Sequence, residues 1–441
     1  MNSRIYQSWG GITAKNQRVL HLDSVRAFPA SDPTGSSSYL VHGNGRSYGD
    51  VCLNEDGQLI DSVELNGITG FCRNSGSVSV LAGTRFNQIH DIVMPEGWFL
   101  PVTPGTEYVT IGGAIANDVH GKNHGSAGSF GCHVLKLTLL RSDGQLIQCS
   151  RQNNEELFLA TIGGLGLTGI ILDATIQLKR IESDLMVSDG DRFSDVDGFF
   201  DLSMQCPPDR EYSVAWIDCA ARGSSLGRGV FFRGRHASRS EAEFSGPVNQ
   251  RRVLSFPFKP PVSIVNTLFV RAFNAVYFRA HRNVSNSATV GYKKFFYPLD
   301  SVRHWNRIYG RRGFFQFQSI VGMENARSAT IELLDIASRY GGGSFLAVLK
   351  MMGNKGSGGL MSFSREGVTL ALDIPNRGQA STDVLRQLES VCMKYGGAIN
   401  PSKDANMSGD AFRIGYPNIE QFKQHIDPKF SSSFWRRVTE D

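Results

Sequence analysis

The chain has 441 residues, of which 41% are hydrophobic and 20% are charged, with a formal net charge of +5. This length predicts at least two domains, since single domains average roughly 150 residues, and the composition is that of an ordinary globular protein. The small net charge gives no argument for nucleic-acid binding, and no nucleic-acid partner is expected.

No targeting signal is evident in the sequence. Residues 1–19 contain no apolar run of signal-peptide length, and no stretch reaches the ~18 uncharged apolar residues of a membrane span. The seven cysteines form no CxxC pair, which predicts free thiols in a reducing compartment and no metal site. We therefore expect a cytoplasmic protein that is soluble or peripheral at the inner membrane.

A first glycine-rich loop, HGNGRSYGD over residues 42–50, follows a short predicted strand. Its spacing misses the dinucleotide fingerprint G-x-G-x-x-G by one residue and no helix follows, which excludes a Rossmann site. Gly45–Gly49 matches G-x-S-x-G, but a nucleophile elbow needs a helix where this chain has a turn and a strand. A loop whose N–H groups and Arg46 bind a pyrophosphate fits better than a nucleophile at Ser47.

Short strands and a helix come next. Residues 58–83 alternate around turns at Asn66-Gly67 and Asn74-Ser75-Gly76, which predicts strands. Apolar residues at helical spacing predict a helix over Phe86 to Val93.

A central glycine-rich segment covers residues 101–131, PVTPGTEYVTIGGAIANDVHGKNHGSAGSFG. Glycine at this density disfavours helix and strand, and it suits backbone that points N–H groups at a bound anion. A flexible surface loop is the alternative, but apolar residues from Ile111 to Val119 would anchor the segment in a core. We expect a buried nest for a phosphate-bearing cofactor.

The rest of this unit is predicted to alternate strand and helix. Strands are predicted over 134–141, 145–149 and 170–178, with a helix over 154–160 and a third glycine cluster over 163–169. Together these elements make an α+β unit that ends near residue 182.

Residues 251–312 have an unusual composition. They hold twelve Lys or Arg and one acid, Asp300, among many large apolar side chains. One interpretation is an ordinary helix and loop with solvated arginines. The other is a surface for anionic lipid headgroups or for a lipid-phosphate substrate. Both stay open at this point.

The last third of the chain predicts an antiparallel sheet covered by helices. The strand from Phe314 places Gln316 and Gln318 on one face, where a polar pocket is favoured because glutamines are costly in a dry core. A helix over 327–341, a strand over 367–375 and a helix over 380–395 follow. Lys403-Asp404 comes after the last strand, either as a solvated pair or as part of an active-site loop.

Three strings, HGNGRSYGD, PGTEYVTIGGAIANDVHGKNHGSAGSFG and GGLGLTGI, resemble the vanillyl-alcohol-oxidase/PCMH-type FAD flavoproteins. The likeness continues through SVAWID, YPLD, WNRIYG, FFQFQ and SKD and so covers nearly the whole chain. The resemblance implies an α+β fold with three parts. These are a PCMH-type FAD-binding domain over 1–182, a substrate-binding cap domain with an antiparallel sheet over 183–397, and a C-terminal segment over 398–441 that returns to the FAD domain.

The resemblance also implies which residues hold FAD. Some relatives attach the flavin through a histidine where this chain has Arg46, so non-covalent FAD is expected. The implied contacts are Gly43, Asn44, Gly45, Arg46, Ser47, Tyr48, Gly49, Gly105, Thr110, Gly112, Gly113, Asn117, His120, Gly121, Lys122, Asn123, His124, Ile170, Ile171 and Asn400.

The implied reaction is oxidation of the ribose 2-hydroxyl of a polyprenylphosphoryl-β-D-ribose to the 2-keto sugar, with hydride transfer to flavin N5. This would be the first half of an epimerisation to the arabinose lipid used for cell-envelope polysaccharide, completed by a short-chain NAD(P)H-dependent reductase as partner. A soluble sugar or aldonolactone oxidase, or a flavin-binding protein without catalysis, are the alternatives.

The implied catalytic residues are Lys403, His124 and Tyr48, although His124 also suits a purely structural role. We expect Asp404 to raise the pKa of Lys403, so a substrate hydrogen bond is the alternative to a base. Thr369 and Ala371 replace an asparagine and a cysteine of the family, and Gly125 a second histidine, which affects substrate identity most. The implied substrate contacts are Gln316, Gln318, Lys350, Trp216, Thr369, Ala371 and Lys403.

Overall fold

Residues 6–21 and 38–180 form a three-stranded sheet and a five-stranded sheet with helices packed against them, and Trp98–Phe99 pairs separately with Lys179–Arg180. The structure, a computed structural model, describes residues 6–21, 38–245, 254–281, 287–340, 344 and 346–440. The strands are β1 (Arg18–His21), β2 (Tyr39–His42), β3 (Gln58–Asp61), β4 (Ile68–Cys72), β5 (Ser77–Leu81), β6 (Trp98–Phe99), β7 (Val134–Leu140), β8 (Leu146–Ser150), β9 (Ile170–Gln177) and β10 (Lys179–Arg180). The helices are α1 (Phe86–Val93), α2 (Ile111–Ala116), α3 (His124–Ala127) and α4 (Glu155–Thr161).

The two sheets differ in strand direction. One is parallel, in the order β1-β3-β2, and the other is antiparallel, in the order β4-β5-β9-β7-β8. The helix predicted over Phe86 to Val93 is confirmed, and its Phe86, Ile89 and Val93 are fully buried beside the antiparallel sheet. Burial of one apolar stripe therefore stabilises this short helix.

The central glycine-rich segment departs from the prediction, because α2 and α3 lie within it. The Thr110 side chain caps α2 by accepting a hydrogen bond from the Gly113 N–H at 3.3 Å, and Ile111, Ala114 and Ile115 are fully buried. A Cβ at Gly112 would lie 3.1 Å from the Ala82 side chain. Burial of the apolar residues thus outweighs the low helix propensity of the glycines.

The second part of the chain is built on one large antiparallel sheet, as predicted. Its order is β15-β11-β13-β12-β18-β19-β17-β20. The strands are β11 (Leu185–Asp195), β12 (Tyr212–Ile217), β13 (Gly227–His236), β14 (Leu254–Ser255), β15 (Ala288–Gly291), β16 (Val302–Arg303), β17 (Phe314–Val321), β18 (Ala347–Met352), β19 (Gly367–Pro375) and β20 (Ala398–Ile399), of which β14 and β16 form a separate pair. The helices are α5 (Val196–Met204), α6 (Arg239–Ser245), α7 (Thr267–Ala280), α8 (Tyr292–Phe296), α9 (Met323–Tyr340) and α10 (Gln379–Lys394).

The register of the central strands aligns a row of polar side chains. Gln316 pairs with Asp373, and Gln318 pairs with Ala371. Alternate residues of a strand share a face, and all four of these residues line the cavity described below. The other face carries Phe317, Leu370 and Leu372, which are buried in the core shared with α9 and α10.

The C-terminal residues contact both parts of the chain. After β20 come α11 (Gly409–Gly415), α12 (Ile419–Lys423) and α13 (Ser433–Thr439). Strand β20 pairs with β17, whereas Arg436 donates to the Asn54 side chain at 2.9 Å and Arg437 pairs with Asp50 at 2.8 Å. Within the described ranges, no helix combines the length and apolarity needed to cross a bilayer.

Candidate active site

A cavity of about 660 Å³ lies between the glycine-rich loops and the polar face of the large sheet. Its loop side is lined by Gly43–Tyr48, Gly105, Thr110, Gly112, Gly113, Asn117, His120 and Ile171. Its sheet side is lined by Gln316, Gln318, Val348, Ala371 and Asp373, and the C-terminal segment adds Asn400, Ser402 and Lys403. The volume suits a site that encloses a cofactor or a small ligand.

The loop side offers hydrogen-bonding groups that the protein leaves unused. The backbone N–H groups of Asn44, Gly45 and Ser47 have no acceptor within the described part of the chain. The buried Asn117 Oδ1 also has no donor there, although its Nδ2 donates to the Gly113 carbonyl at 2.9 Å. Buried polar groups are almost always satisfied in native proteins, so Asn117 Oδ1 indicates a donor on a bound ligand. The loop N–H groups belong to half-exposed residues and are open to a ligand acceptor.

The loop side also fits the phosphates of FAD. Arg46 is held beside the loop, donating to the Asn44 carbonyl at 2.9 Å and lying 4.5 Å from the centre of the Trp9 ring. A Cβ at Gly105 would meet no protein atom within 4 Å, so this backbone faces open space. Free N–H groups beside a fixed guanidinium are the donors that a pyrophosphate requires.

On the sheet side, Gln318 joins three parts of the chain. Its Nε2 donates to Thr369 Oγ1 at 3.0 Å and lies 3.0 Å from His120 Nε2, and its Oε1 accepts from Asn400 Nδ2 at 3.0 Å. An amide both donates and accepts. Gln318 therefore fixes the position of the sheet relative to the glycine-rich segment and the C-terminal segment.

Lys403 lies over the face of Tyr48, with Nζ 4.0 Å from the ring centre. Burial lowers the pKa of this lysine to about 8, against the opposing attraction of Asp373. The expectation that Asp404 raises this pKa is wrong. Asp404 turns away, accepting the Asn406 and Met407 N–H groups at 2.9 Å and pairing with Arg437.

Asp373 is the main site residue that the sequence prediction missed. It is fully buried, and its carboxylate accepts from Gln316 Nε2 at 2.5 Å and from the Tyr309 hydroxyl at 3.1 Å. Burial raises its pKa to about 6, and burial together with the Asp373 charge raises the pKa of Tyr48 above its usual range. The sequence could have indicated Asp373, because alternation along β19 places it on the same strand face as the predicted site residues Thr369 and Ala371.

The half-buried His120 and the buried Lys350 form a pair at the cavity wall. Lys350 Nζ lies 2.7 Å from His120 Nδ1 and donates to the Gly121 carbonyl at 2.5 Å. Burial lowers the pKa of Lys350 to about 7 and that of His120 well below its usual value. His120 lines the cavity as a neutral imidazole, and Lys350 lies behind it.

Several predicted site residues lie outside the cavity wall. His124 is 1% exposed, its ring nitrogens have no partner in the described part of the chain, and burial lowers its pKa to about 4. Lys122 points toward the second part of the chain, where it donates to the Phe295 carbonyl. Trp216 packs on Tyr277 at 4.5 Å. The full set outside the wall is Gly49, Gly121, Lys122, Asn123, His124, Ile170, Trp216, Lys350 and Thr369.

A segment before β17 completes the cavity and was not predicted as part of it. Leu299, Asp300, Arg303, His304 and Trp305 line the wall near Arg46. The Asp300 carboxylate accepts the Glu107 N–H at 2.9 Å, and burial raises its pKa to about 6. The motif YPLD, which was noted only as part of the family resemblance, could have indicated that this segment lines the cavity.

Comparisons with known proteins agree with this geometry. A family model described as an FAD binding domain matches residues 36–150. The decaprenylphosphoryl-beta-D-ribose oxidase of Mycolicibacterium smegmatis is 33% identical over 437 residues, which cover 94% of this chain and 92% of the relative. The D-arabinono-1,4-lactone oxidase of Eremothecium gossypii is 26% identical over 40% of this chain and 34% of the relative. The L-gulonolactone oxidase of Mus musculus is 31% identical over 31% of each chain.

The fold and the cavity therefore define an FAD-dependent oxidoreductase with an α+β architecture, as the sequence predicted. Within this class, the chain belongs to the family of the decaprenylphosphoryl-beta-D-ribose oxidase, which it matches over nearly its whole length.

Proposed function

We propose that this chain oxidises the ribose 2-hydroxyl of a polyprenylphosphoryl-β-D-ribose to the 2-keto sugar. The observation that carries the proposal is a polar wall, Gln316, Gln318, Asp373 and Lys403, facing the unused donors of the FAD loop across one cavity. A sugar with several hydroxyls needs such a wall, because each buried hydroxyl requires a partner. The name of the relative that matches 94% of the chain supports the same substrate.

FAD, when bound, supplies the acceptor for the hydride of the oxidised carbon. We propose that the loop from Gly43 to Tyr48 holds it without a covalent bond. Arg46 has no nucleophilic character and is engaged with Asn44 and Trp9.

Lys403 is the proposed base for the hydroxyl proton. A base must be unprotonated, and a pKa of about 8 leaves part of the Lys403 population neutral near neutral pH. Gln316 and Gln318 orient the sugar hydroxyls, and Tyr48 fixes the position of the lysine from below. His120, kept neutral, contacts the Gln318 amide at 3.0 Å and so helps to position it on the same side.

The proposal also includes the domain boundaries, a partner enzyme and a cellular location. We place the FAD domain over 1–182, the cap domain over 183–397 and the returning segment over 398–441, supported by the break between β10 and β11 and by the Arg436–Asn54 contact. The 2-keto product requires a reductant to become arabinose, so a short-chain NAD(P)H-dependent reductase is the proposed partner. We propose a cytoplasmic location.

Anaerobic bleaching of the flavin tests the substrate. Polyprenylphosphoryl-ribose is expected to bleach it, whereas free ribose and aldonolactones are not. Bleaching by a lactone alone would favour an aldonolactone oxidase, and a purified protein without yellow colour would contradict FAD binding. Acid precipitation is expected to release the flavin into the supernatant, which distinguishes non-covalent from covalent attachment.

A further inference from the structure

The outward side of α7 exposes large apolar side chains, whereas a surface helix normally turns polar residues to water. Leu268 is 78% exposed and Val276 is 67% exposed. They are eight residues apart and therefore lie on one side of the helix, with the exposed Ala272 between them. Val270 and Asn274, on the other side, are buried.

The chain leading into α7 also exposes apolar side chains. Leu254, Phe258 and Val262 are 65%, 62% and 73% exposed. This stretch is fixed to the protein, because β14 pairs with β16 and the Phe256 N–H donates to the Arg303 carbonyl at 2.9 Å. We call Leu254, Phe258, Val262, Leu268 and Val276 the α7 surface. Large apolar side chains exposed together on one stretch of chain mark an interaction site.

Basic side chains flank the α7 surface. Lys259, Arg271 and Arg279 are exposed beside it. The single acid of residues 251–312, Asp300, lines the cavity instead and accepts the Glu107 N–H there. Of that range, residues 251–253 and 282–286 lie outside the described residues. The carboxylate that contacts α7, Asp218, lies on the buried side of the helix, where it accepts from Asn274 and pairs with Arg228. An apolar face bordered by exposed cations complements an anionic lipid surface.

The α7 surface also leads to the active-site cavity. Phe258 and Lys259 line a second cavity of about 960 Å³, together with Arg307. This cavity shares Trp9, Arg46 and His304 with the main one. A ligand head group held by these cations would lie between the α7 surface and the polar wall.

We propose that the α7 surface docks on the anionic face of a lipid bilayer, so that a lipid-linked sugar enters the cavity while its hydrocarbon chain stays in the membrane. The role for a lipid-linked sugar rests on the proposed function. The docking itself does not, because it can be measured without substrate.

Vesicle co-sedimentation of the full chain tests the docking. Vesicles of phosphatidylcholine with phosphatidylglycerol are compared with vesicles of phosphatidylcholine alone. The double variant Leu268→Ser, Val276→Ser is expected to bind the anionic vesicles at least tenfold more weakly. The matched control Leu146→Ser, Met204→Ser changes apolar residues that are 58% and 66% exposed on β8 and α5, and it should bind like the unmodified chain.

A second double variant tests the contribution of the basic residues beside the α7 surface. Arg271→Gln with Arg279→Gln is expected to weaken binding to anionic vesicles about 25-fold, because each basic residue near such a surface contributes roughly fivefold (~1 kcal/mol). Added salt should reduce the difference between the two proteins, since the attraction acts within a Debye length.

Three outcomes would overturn the docking: no binding to anionic vesicles, equal binding by the Leu268/Val276 variant, or a shift of that variant from dimer to monomer in light scattering. The last would identify the face as a contact between protein chains. Flavin bleaching by a short-chain, water-soluble phosphoryl-ribose tests the proposed function separately. The Leu268/Val276 variant should keep that rate while losing rate on substrate embedded in vesicles.

Discussion

The two sides of the active-site cavity are built from different parts of the polypeptide. The loop side presents backbone N–H groups of Asn44, Gly45 and Ser47, whereas the sheet side presents the side chains of Gln316, Gln318 and Asp373. A backbone site depends on chain conformation and on small residues that permit close approach. A side-chain site depends on strand register and on titration. We therefore expect cofactor binding to depend mainly on the backbone conformation of the loop, and substrate binding on the identity and protonation of the sheet side chains.

The largest effect is expected where the loop side touches the C-terminal segment. A Cβ at Gly49 would lie 1.3 Å from the Asp404 carbonyl oxygen, which no side-chain movement relieves. Gly49→Ala should therefore destabilise the fold by more than the ~3 kcal/mol typical of overpacking and give aggregated protein without flavin. Gly125→Ala is the control, because its Cβ would meet nothing within 4 Å. Soluble, yellow Gly49→Ala protein would contradict the close packing.

On the sheet side, the largest effect is expected at Lys403. Lys403→Ala should slow anaerobic flavin bleaching by about 100- to 10,000-fold, the usual contribution of a general base, with normal flavin content. Lys403→Arg separates the two roles of this residue, since arginine keeps the charge over Tyr48 but does not lose its proton. A slow Lys403→Arg protein indicates a base, and a fast one indicates a substrate contact. If the flavin of Lys403→Ala bleaches as fast as that of the unmodified protein, Lys403 is neither the base nor an important substrate contact.

A smaller effect is expected where the two parts of the chain meet. His90 of α1 is fully buried, stacked on Phe99 at 4.3 Å and in edge contact with Tyr292 of α8. Burial lowers its pKa to about 3, whereas the unfolded chain binds the proton near pH 6.5. Stability is thus lost as the pH falls below about 6.5.

We expect this histidine to account for about 2 kcal/mol of the stability lost between pH 7.5 and 5. His90→Phe keeps an aromatic ring against Phe99 and cannot take up a proton. Urea unfolding at the two pH values measures the difference, and an equal loss in both proteins would show that His90 does not titrate on unfolding.

The sequence predicted the loop side better than the sheet side, for a physical reason. The glycine strings are local, so their residues stay together in any fold that contains them, and most of the predicted FAD contacts on the first loop line the cavity. The sheet side joins strands far apart in the chain, and a one-residue change in register would exchange its faces. Alternation along β19 places Asp373 on the face of Thr369 and Ala371, but its pairing with Gln316 follows only from the β17–β19 register. Lys350 and Trp216 were predicted without that register, and both lie outside the wall.

The smallest effect concerns the charge of Asp373 and tests the side-chain chemistry of the sheet wall directly. Its carboxylate raises the pKa of Lys403 against the effect of burial. Asp373→Asn keeps an acceptor for Gln316 and Tyr309 but removes the charge, so Lys403 should lose its proton more readily. The rise of kcat/KM with pH, expected near pH 8 in the unmodified protein, should move to lower pH by up to about one unit, equivalent to ~1.4 kcal/mol. Asp300→Asn is the matched control, because it removes another, half-buried cavity carboxylate that is not among the charges shifting the pKa of Lys403. A shift to higher pH, or an equal shift in both variants, would mean that the rise does not report Lys403.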